Sequence, residues 1–211
     1  AEEAVVRLKD PRFAAAQVNA SELEDVRELI RKANPDVVIN AVDPRYVMPI
    51  FLACEIENTN YIDMAMSLSR PHPHYPYTET GVKLGDEQFA RDWNWGERKI
   101  YALVGMGIEP GLSDVFAKYA ADHLFSRIDS LTVLDGSNLV VEGYEFAPSF
   151  SIWTTIEECL NPPLVWEDGR GWFTTEPFSE LEIFNFPEGI GPVECVNVEH
   201  EEVVLIPQKV D

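Results

Sequence analysis

Four groups of residues have the types and spacing for chemistry. The first is Gly105-Met-Gly-Ile-Glu-Pro-Gly111, between a strand pattern and a helix pattern. Glycines there let backbone approach a ligand closely, and N–H groups at a helix start favour an anion. The same glycines also serve turns that need them for tightness alone, so both readings stand. Glu109 lies within this run. The second is Asp63 at the end of Tyr61-Ile-Asp-Met-Ala65, where a carboxylate does acid–base work, caps a helix or bonds to backbone. The third is Pro71-His-Pro-His-Tyr-Pro-Tyr77, a proline-stiffened loop that carries His72, His74, Tyr75 and Tyr77. Its His-x-His pair has no third donor nearby, so no metal is expected, and acid–base work competes with a structural or lid role. The fourth is Asn40-Ala-Val-Asp-Pro44, which ends a β-branched run. Tyr144 and Trp153 read as core or pocket wall. His123, on an apolar helical stripe, reads as a core residue, and His200 in Glu199-His-Glu-Glu202 reads as part of a solvated strand edge.

The elements that position these groups alternate. A helix pattern opens the chain and a short strand candidate covers residues 13–20. Ser21 and Glu24 then have capping-box spacing ahead of a helix with Leu23, Val26, Leu29 and Ile30 on its stripe. Residues 36–42 form a continuous β-branched run, as for a strand covered on both faces. Pro49 suits the first turn of the next helix, whose apolar face is Met48, Phe51, Leu52 and Ile56. Residues 61–65 and 101–105 read as strands. Leu112, Val115, Phe116 and Tyr119 mark a further helix. Such alternation predicts an α/β fold, a partial Rossmann-type, doubly wound parallel sheet with its site beyond the C-terminal strand ends. Past residue 128 the pattern changes to α+β. Residues 128–134, 139–141, 182–186 and 202–206 read as strands, 152–160 as a helix, and 164–175 as a hairpin turning at Asp168-Gly169. The expected division falls after residue 125; the resemblance described below implies a partial dinucleotide-binding domain in 1–125 and a partial α+β substrate domain in 126–211.

Thirty-seven acidic residues against sixteen basic ones give a formal net charge of −21, a field that repels nucleic acid. No apolar run reaches the roughly 20 residues of a membrane span, and no signal peptide is visible. Cys54, Cys159 and Cys195 are scattered and odd in number, which points to a reducing cytoplasm rather than to disulfides or zinc. No glycine precedes Gly81. A dinucleotide fold needs a Gly-rich turn after its first strand, so the chain is expected to be a fragment without that unit.

The order of motifs resembles the saccharopine dehydrogenase family. The run from Pro35 to Pro44, then Phe51-Leu-Ala-Cys54 and Tyr61–Ala65, is similar to the later strands of its dinucleotide domain. Gly105–Gly111 looks like its turn into the substrate domain. Ser149-Phe-Ser-Ile-Trp153, Asn161-Pro-Pro163 with Asp168-Gly169, and Phe186-Pro187 to Glu202 resemble its substrate-domain signatures. The resemblance implies an oxidoreductase that uses NAD or NADP for hydride transfer at a C–N bond of an amino-acid or polyamine-like substrate, and a homodimer. It puts Ala41, Val42, Asp43 and Pro44 along the cofactor, and Gly107, Pro110 and Gly111 near the nicotinamide. Candidates for proton transfer are then Asp63, His72, His74 and Glu109, with Tyr75, Tyr77, Tyr144 and Trp153 as substrate wall. From Ile128 onward only Arg170 and Lys209 are basic, whereas Glu142, Glu145, Glu157 and Glu158 are acidic. That imbalance favours a diamine or polyamine-like substrate over one with several carboxylates. A dinucleotide sensor, an oligomeric scaffold, and a reductase of C=O or C=C bonds are the alternatives.

Overall fold

A computed structural model describes all residues except Glu145, Phe146, Pro148, Ser149 and Asp211. Glu145 of the acidic set and Ser149 of the motif ending at Trp153 therefore lie outside the described residues. The elements are α1 (Glu2–Leu8), α2 (Leu23–Ala33), β1 (Val37–Asn40), α3 (Val47–Glu57), β2 (Asn60–Asp63), α4 (Asp86–Phe89), α5 (Asp92–Arg98), β3 (Ala102–Leu103) and α6 (Leu112–His123). They continue with α7 (Ile152–Leu160), β4 (Leu164–Glu167), β5 (Gly171–Thr174), β6 (Glu182–Phe186), β7 (Gly191–Cys195) and α8 (Glu202–Leu205).

β1, β2 and β3 form a parallel sheet in that order, with Val38 opposite Tyr61 and Tyr61 opposite Ala102. This is the α/β arrangement that the alternation predicts. One face of the sheet packs under α2 and α3 through Val26, Ile30, Phe51, Cys54, Tyr61 and Trp95. Phe51 meets Tyr61 edge-on at 5.3 Å and Trp95 at 4.7 Å between ring centroids. Each such ring, fully buried, contributes roughly 2–3 kcal/mol. Beneath them Glu55, 2% exposed, takes two hydrogen bonds from the Arg91 guanidinium, at 2.5 and 2.7 Å. The second core joins Met66, Leu84, Leu164 and Val204, and so docks the β4–β5 hairpin and α8 onto the parallel sheet's end.

Several elements depart from the sequence reading. Residues 13–20 form no strand, because Ala14, Ala15 and Ala16 offer little side-chain area to bury. Ser21 is not a cap: its hydroxyl donates to Asn19 Oδ1 at 2.8 Å and Glu24 pairs with Arg27, leaving Glu22 at the N-cap of α2. The β-branched run of β1 is covered on one face only, and Ile39 is 66% exposed. α3 buries Phe51 as predicted and packs Met48 and Leu52, partly buried, on the same core, but it also buries Val47, Ile50, Ala53 and Cys54, while Ile56 is exposed. The helix at 112–123 forms as predicted, but its stripe of Leu112, Val115, Phe116 and Tyr119 is exposed. His123 is exposed with it, against the Tyr119 ring at 4.6 Å, and is not a core residue.

Residues 128–134 and 139–141 form no strand, since among the described residues neither finds a neighbour to take its backbone hydrogen bonds. The 164–175 hairpin and the 152–160 helix form where predicted. β6 also forms, paired antiparallel with β7. β7 was not anticipated, because Pro192 interrupts its pattern. Residues 202–206 are not a strand: α8 occupies 202–205 and puts Val204, 1% exposed, into the second core.

Candidate functional site

The C-terminal ends of the parallel strands are tied by one buried polar chain. Asn40 Nδ2 donates to Tyr61 Oη at 2.9 Å, and Tyr61 Oη donates to Asp63 Oδ2 at 2.9 Å. Gln88 Nε2 donates to the same oxygen at 2.7 Å, while its Oε1 accepts Ser67 N–H. Asp63 Oδ1 accepts Gly105 N–H at 2.7 Å, and its backbone carbonyl accepts Met106 N–H. Tyr61 and Asp63 sit on one face because strand side chains alternate, and both are fully buried. Burial pushes the Asp63 carboxyl up to about 6, and the three donors keep it from rising further. Asp63 therefore has no free face for a substrate, and it fixes the turn that follows β3.

That turn is tight. Gly107 N–H donates to Pro110 O at 2.7 Å, Gly111 N–H to Asp114 Oδ2 at 2.9 Å, Leu112 N–H to Gly107 O and Ser113 N–H to Ile108 O. The N–H groups of Gly107, Gly111, Leu112 and Ser113 are thus consumed within the turn. Gly111 has φ 125°, and a Cβ there would lie 2.6 Å from Gly107 N and O, so only glycine closes the turn. Pro110 and Gly111 are buried and Gly107 is half-buried.

Next to the turn lies a cluster that the sequence reading took for a solvated edge. His200 Nδ1 is bonded to Glu202 and lies 3.4 Å from Glu201 Oε2. Glu202 Oε1 accepts from Ser113 Oγ at 2.7 Å, which links α8 to α6. Glu199 accepts from Asn161 Nδ2 at 2.8 Å. Burial opposes the charge on His200, but its bond to Glu202 and the fields of Glu201, Glu202 and Glu158 prevail and lift it to about 9. Glu158 is lifted to about 7, first by burial and then by Glu201, Glu199 and Glu202, with His200 opposing. Glu109 is raised as well, by burial and then by Glu202. At neutral pH an imidazolium thus faces several carboxylates, with Glu158 close to its titration midpoint. One donor atom from each of His200, Glu201 and Glu202 lies within 4.8 Å of the others, a metal-competent grouping that the His-x-His motif had drawn attention away from. The signal that could have found it was the unbroken run of four titratable residues, Glu199-His-Glu-Glu202.

The remaining candidates lie farther out. His72 Nδ1 accepts Tyr75 N–H at 3.0 Å and its ring stacks on Tyr75 at 5.8 Å, so that pair shapes the loop. His74, Tyr75 and Tyr77 are exposed, and Thr174 Oγ1 holds the loop through Pro76 O at 2.8 Å. Tyr144 is exposed; Trp153 is exposed beside the Arg45 guanidinium at 5.9 Å. Asp43 accepts from Arg45 Nε at 2.8 Å, Pro44 follows it, and Ala41 and Val42 are exposed at the end of β1. Exposed apolar residues at a parallel strand's C-terminal end are what the flat face of a dinucleotide covers, so these residues fit one.

Residues 1–103 match the family model described as the saccharopine dehydrogenase NADP binding domain. The carboxynorspermidine synthase of Vibrio alginolyticus is 32% identical over 204 residues, which is 93% of this chain and 46% of that protein. That of Vibrio cholerae is 31% identical over 198 residues, 93% of this chain and 46% of the relative. The carboxyaminopropylagmatine dehydrogenase of Synechocystis is 27% identical over 199 residues, with 92% and 46% covered. Among solved structures, saccharopine dehydrogenase (L-Glu forming) of Saccharomyces cerevisiae is similar in fold at a TM-score of 0.53 and 15% identity, over 89% of this chain and 40% of that one. The chain spans about half the length of these curated relatives, 46%. No helix among the described residues is long and apolar enough to cross a membrane. Residues 1–103 thus match that family's NADP-binding domain, and the chain is similar over most of its length to proteins of saccharopine dehydrogenase type.

Proposed function

We propose that this chain serves an NAD(P)-linked oxidoreductase that makes or breaks a C–N bond of an amine substrate of polyamine type. The observation that carries the reading is the acid-rich cluster around His200, set beside the ends of β1–β3 in a chain matched to an NADP-binding domain. Relatives named for carboxynorspermidine and carboxyaminopropylagmatine chemistry support the substrate class. They give no support to the sensor or the scaffold.

NAD(P) supplies or accepts the hydride when bound. Ala41, Val42, Asp43 and Pro44 would line its edge, with Gly107 at the accessible part of the turn and Pro110 and Gly111 shaping it from beneath. Asp63 positions that turn. Glu158 and Glu201 hold the substrate ammonium, and Glu158, close to half-protonated at neutral pH, moves the proton that imine chemistry requires. Glu109 adds negative field from the turn. His200 stays cationic and orients Glu202 and Glu201. His72 and His74 act through the loop, with Tyr75, Tyr77, Tyr144 and Trp153 as outer wall. The exposed stripe on α6 supports a homodimer in which a second copy covers Val115 and Phe116. Three free thiols support a reducing, cytoplasmic setting.

The test follows nicotinamide absorbance with NAD and NADP in turn, across saccharopine, lysine and a series of diamines and their carboxylated adducts. Turnover with an amine of this series supports the reading. Turnover only with alcohols or alkenes overturns it.

A further inference from the structure

A ladder of backbone hydrogen bonds joins neighbouring strands only, and β2 stands between β1 and β3. Residues 41–44 leave the sheet after β1 and residues 105–111 follow β3, two strand spacings away, roughly 10 Å. The ladder ends at Asn40–Asp63 on one side of β2 and at Ile62–Leu103 on the other. Beyond it, side chains make the connection. Val42 N–H donates to Asn40 Oδ1 at 3.3 Å, Asn40 Nδ2 to Tyr61 Oη at 2.9 Å, and Tyr61 Oη to Asp63 Oδ2 at 2.9 Å. From the opposite side Gly105 N–H reaches Asp63 Oδ1 at 2.7 Å. The carboxylate is the terminal acceptor for both ends of this chain.

Tyr61 is its middle link. A phenol has one proton to donate, here given to Asp63, and its oxygen accepts from Asn40. Burial, and then the charge of Asp63, keep that proton on the phenol. The ring is fixed: it lies between Val38 and Ala102 of the flanking strands, edge-on to Phe51 and 6.3 Å from Trp95. Asn40, Tyr61 and Asp63 are all buried, so bulk water does not replace a bond lost among them.

We propose that Tyr61 is a positioning residue for the cofactor. Its hydroxyl couples the 41–44 edge to the 105–111 turn and fixes their separation, so that one bound dinucleotide meets both. It acts through Asn40 and Asp63 and not by contact with the cofactor. The inference rests on the oxidoreductase reading for the identity of the ligand; the coupling stands on the hydrogen bonds alone.

Amide hydrogen exchange, read by NMR on the 211-residue chain without cofactor, tests the coupling. Tyr61→Phe keeps the ring in the core and removes only the hydroxyl. Exchange should rise about fivefold at both Val42 and Gly105, neither bonded to Tyr61, and stay within about twofold at Ile30 and Phe51. Asn40→Ala should speed exchange at Gly105 too, which Asn40 reaches only through Tyr61 and Asp63. No change at Val42 or Gly105 in Tyr61→Phe, none at Gly105 in Asn40→Ala, or a rise spread equally over Ile30 and Phe51 overturns the coupling. In the absorbance assay, Tyr61→Phe should raise the KM for the nicotinamide cofactor about fivefold and leave that for the amine within about twofold. Equal rises in both overturn the cofactor role. A failure of the oxidoreductase reading shows instead as no turnover by the unsubstituted protein and removes the cofactor role with it, whereas the exchange result stands or falls separately.

Discussion

The Gly105 amide donates to Asp63 Oδ1 at 2.7 Å, so the turn leading into α6 hangs from the end of β2. Through Tyr61 the same carboxylate reaches Asn40 at the end of β1. Asp63→Asn puts an NH2 group against one of three donors. We expect a loss of about 1–3 kcal/mol in stability, the cost of an unsatisfied buried donor, read as a lowered midpoint in urea unfolding. An unchanged midpoint would show that the chain does not brace the turn.

His200 makes stability depend on alkaline pH. Its folded value, about 9, lies above the ordinary 6.5, so its contribution is fully present below pH 6.5 and is lost as pH rises through about 9. The loss over that window is on the order of 3 kcal/mol at most. In His200→Gln the loss centred near pH 9 should disappear from a series of thermal melts, leaving the part due to Glu158. Glu158 adds a loss at lower pH, because its value is raised to about 7 and the stabilisation present below pH 4.5 fades on the way up. Glu158→Gln should remove that part and also reduce the His200 contribution, since the Glu158 field helps to lift His200.

Two glycines should respond to alanine with opposite signs. Gly111→Ala drives a Cβ to 2.6 Å from Gly107 backbone at φ 125° and should cost about 1–3 kcal/mol or more. Gly96 lies within α5 with nothing within 4 Å of an added Cβ, and Gly96→Ala should stabilise by about 0.5–1 kcal/mol. Differential melting of the two variants checks the pair.

Arg91→Met leaves Glu55 buried with Asn94 at 3.2 Å and Arg98 at 3.9 Å as its remaining partners. Removing one side of a buried ion pair typically costs about 3–5 kcal/mol, and the lower end is expected here because Arg98 remains. Glu55→Gln in the same background should recover part of the loss.

Where pattern and tertiary environment agree, the sequence was legible. The 152–160 helix, the 164–175 hairpin and the parallel strands through Val38, Tyr61 and Ala102 formed where periodicity and turn residues put them. Glu202-Val-Val-Leu-Ile206 misled because β-branched runs suit either state, and only the fit of Val204 beside Met66 and Leu164 selects the helix. With the wrong period, His200 and its carboxylates looked like an edge. Asp63 was read as a candidate for proton transfer, but it is buried, and two of the three donors around it come from sites 25 and 42 residues away that could not be read locally.

The central claim is hydride transfer at a C–N bond. Its most direct test supplies NADPH deuterated at the nicotinamide C4 together with an aldehyde and a diamine, then locates the label by mass spectrometry. The account predicts deuterium on the carbon bonded to nitrogen in a newly formed secondary amine. Deuterium on an alcohol carbon, or full retention in the nicotinamide while NADPH remains bound, would contradict it.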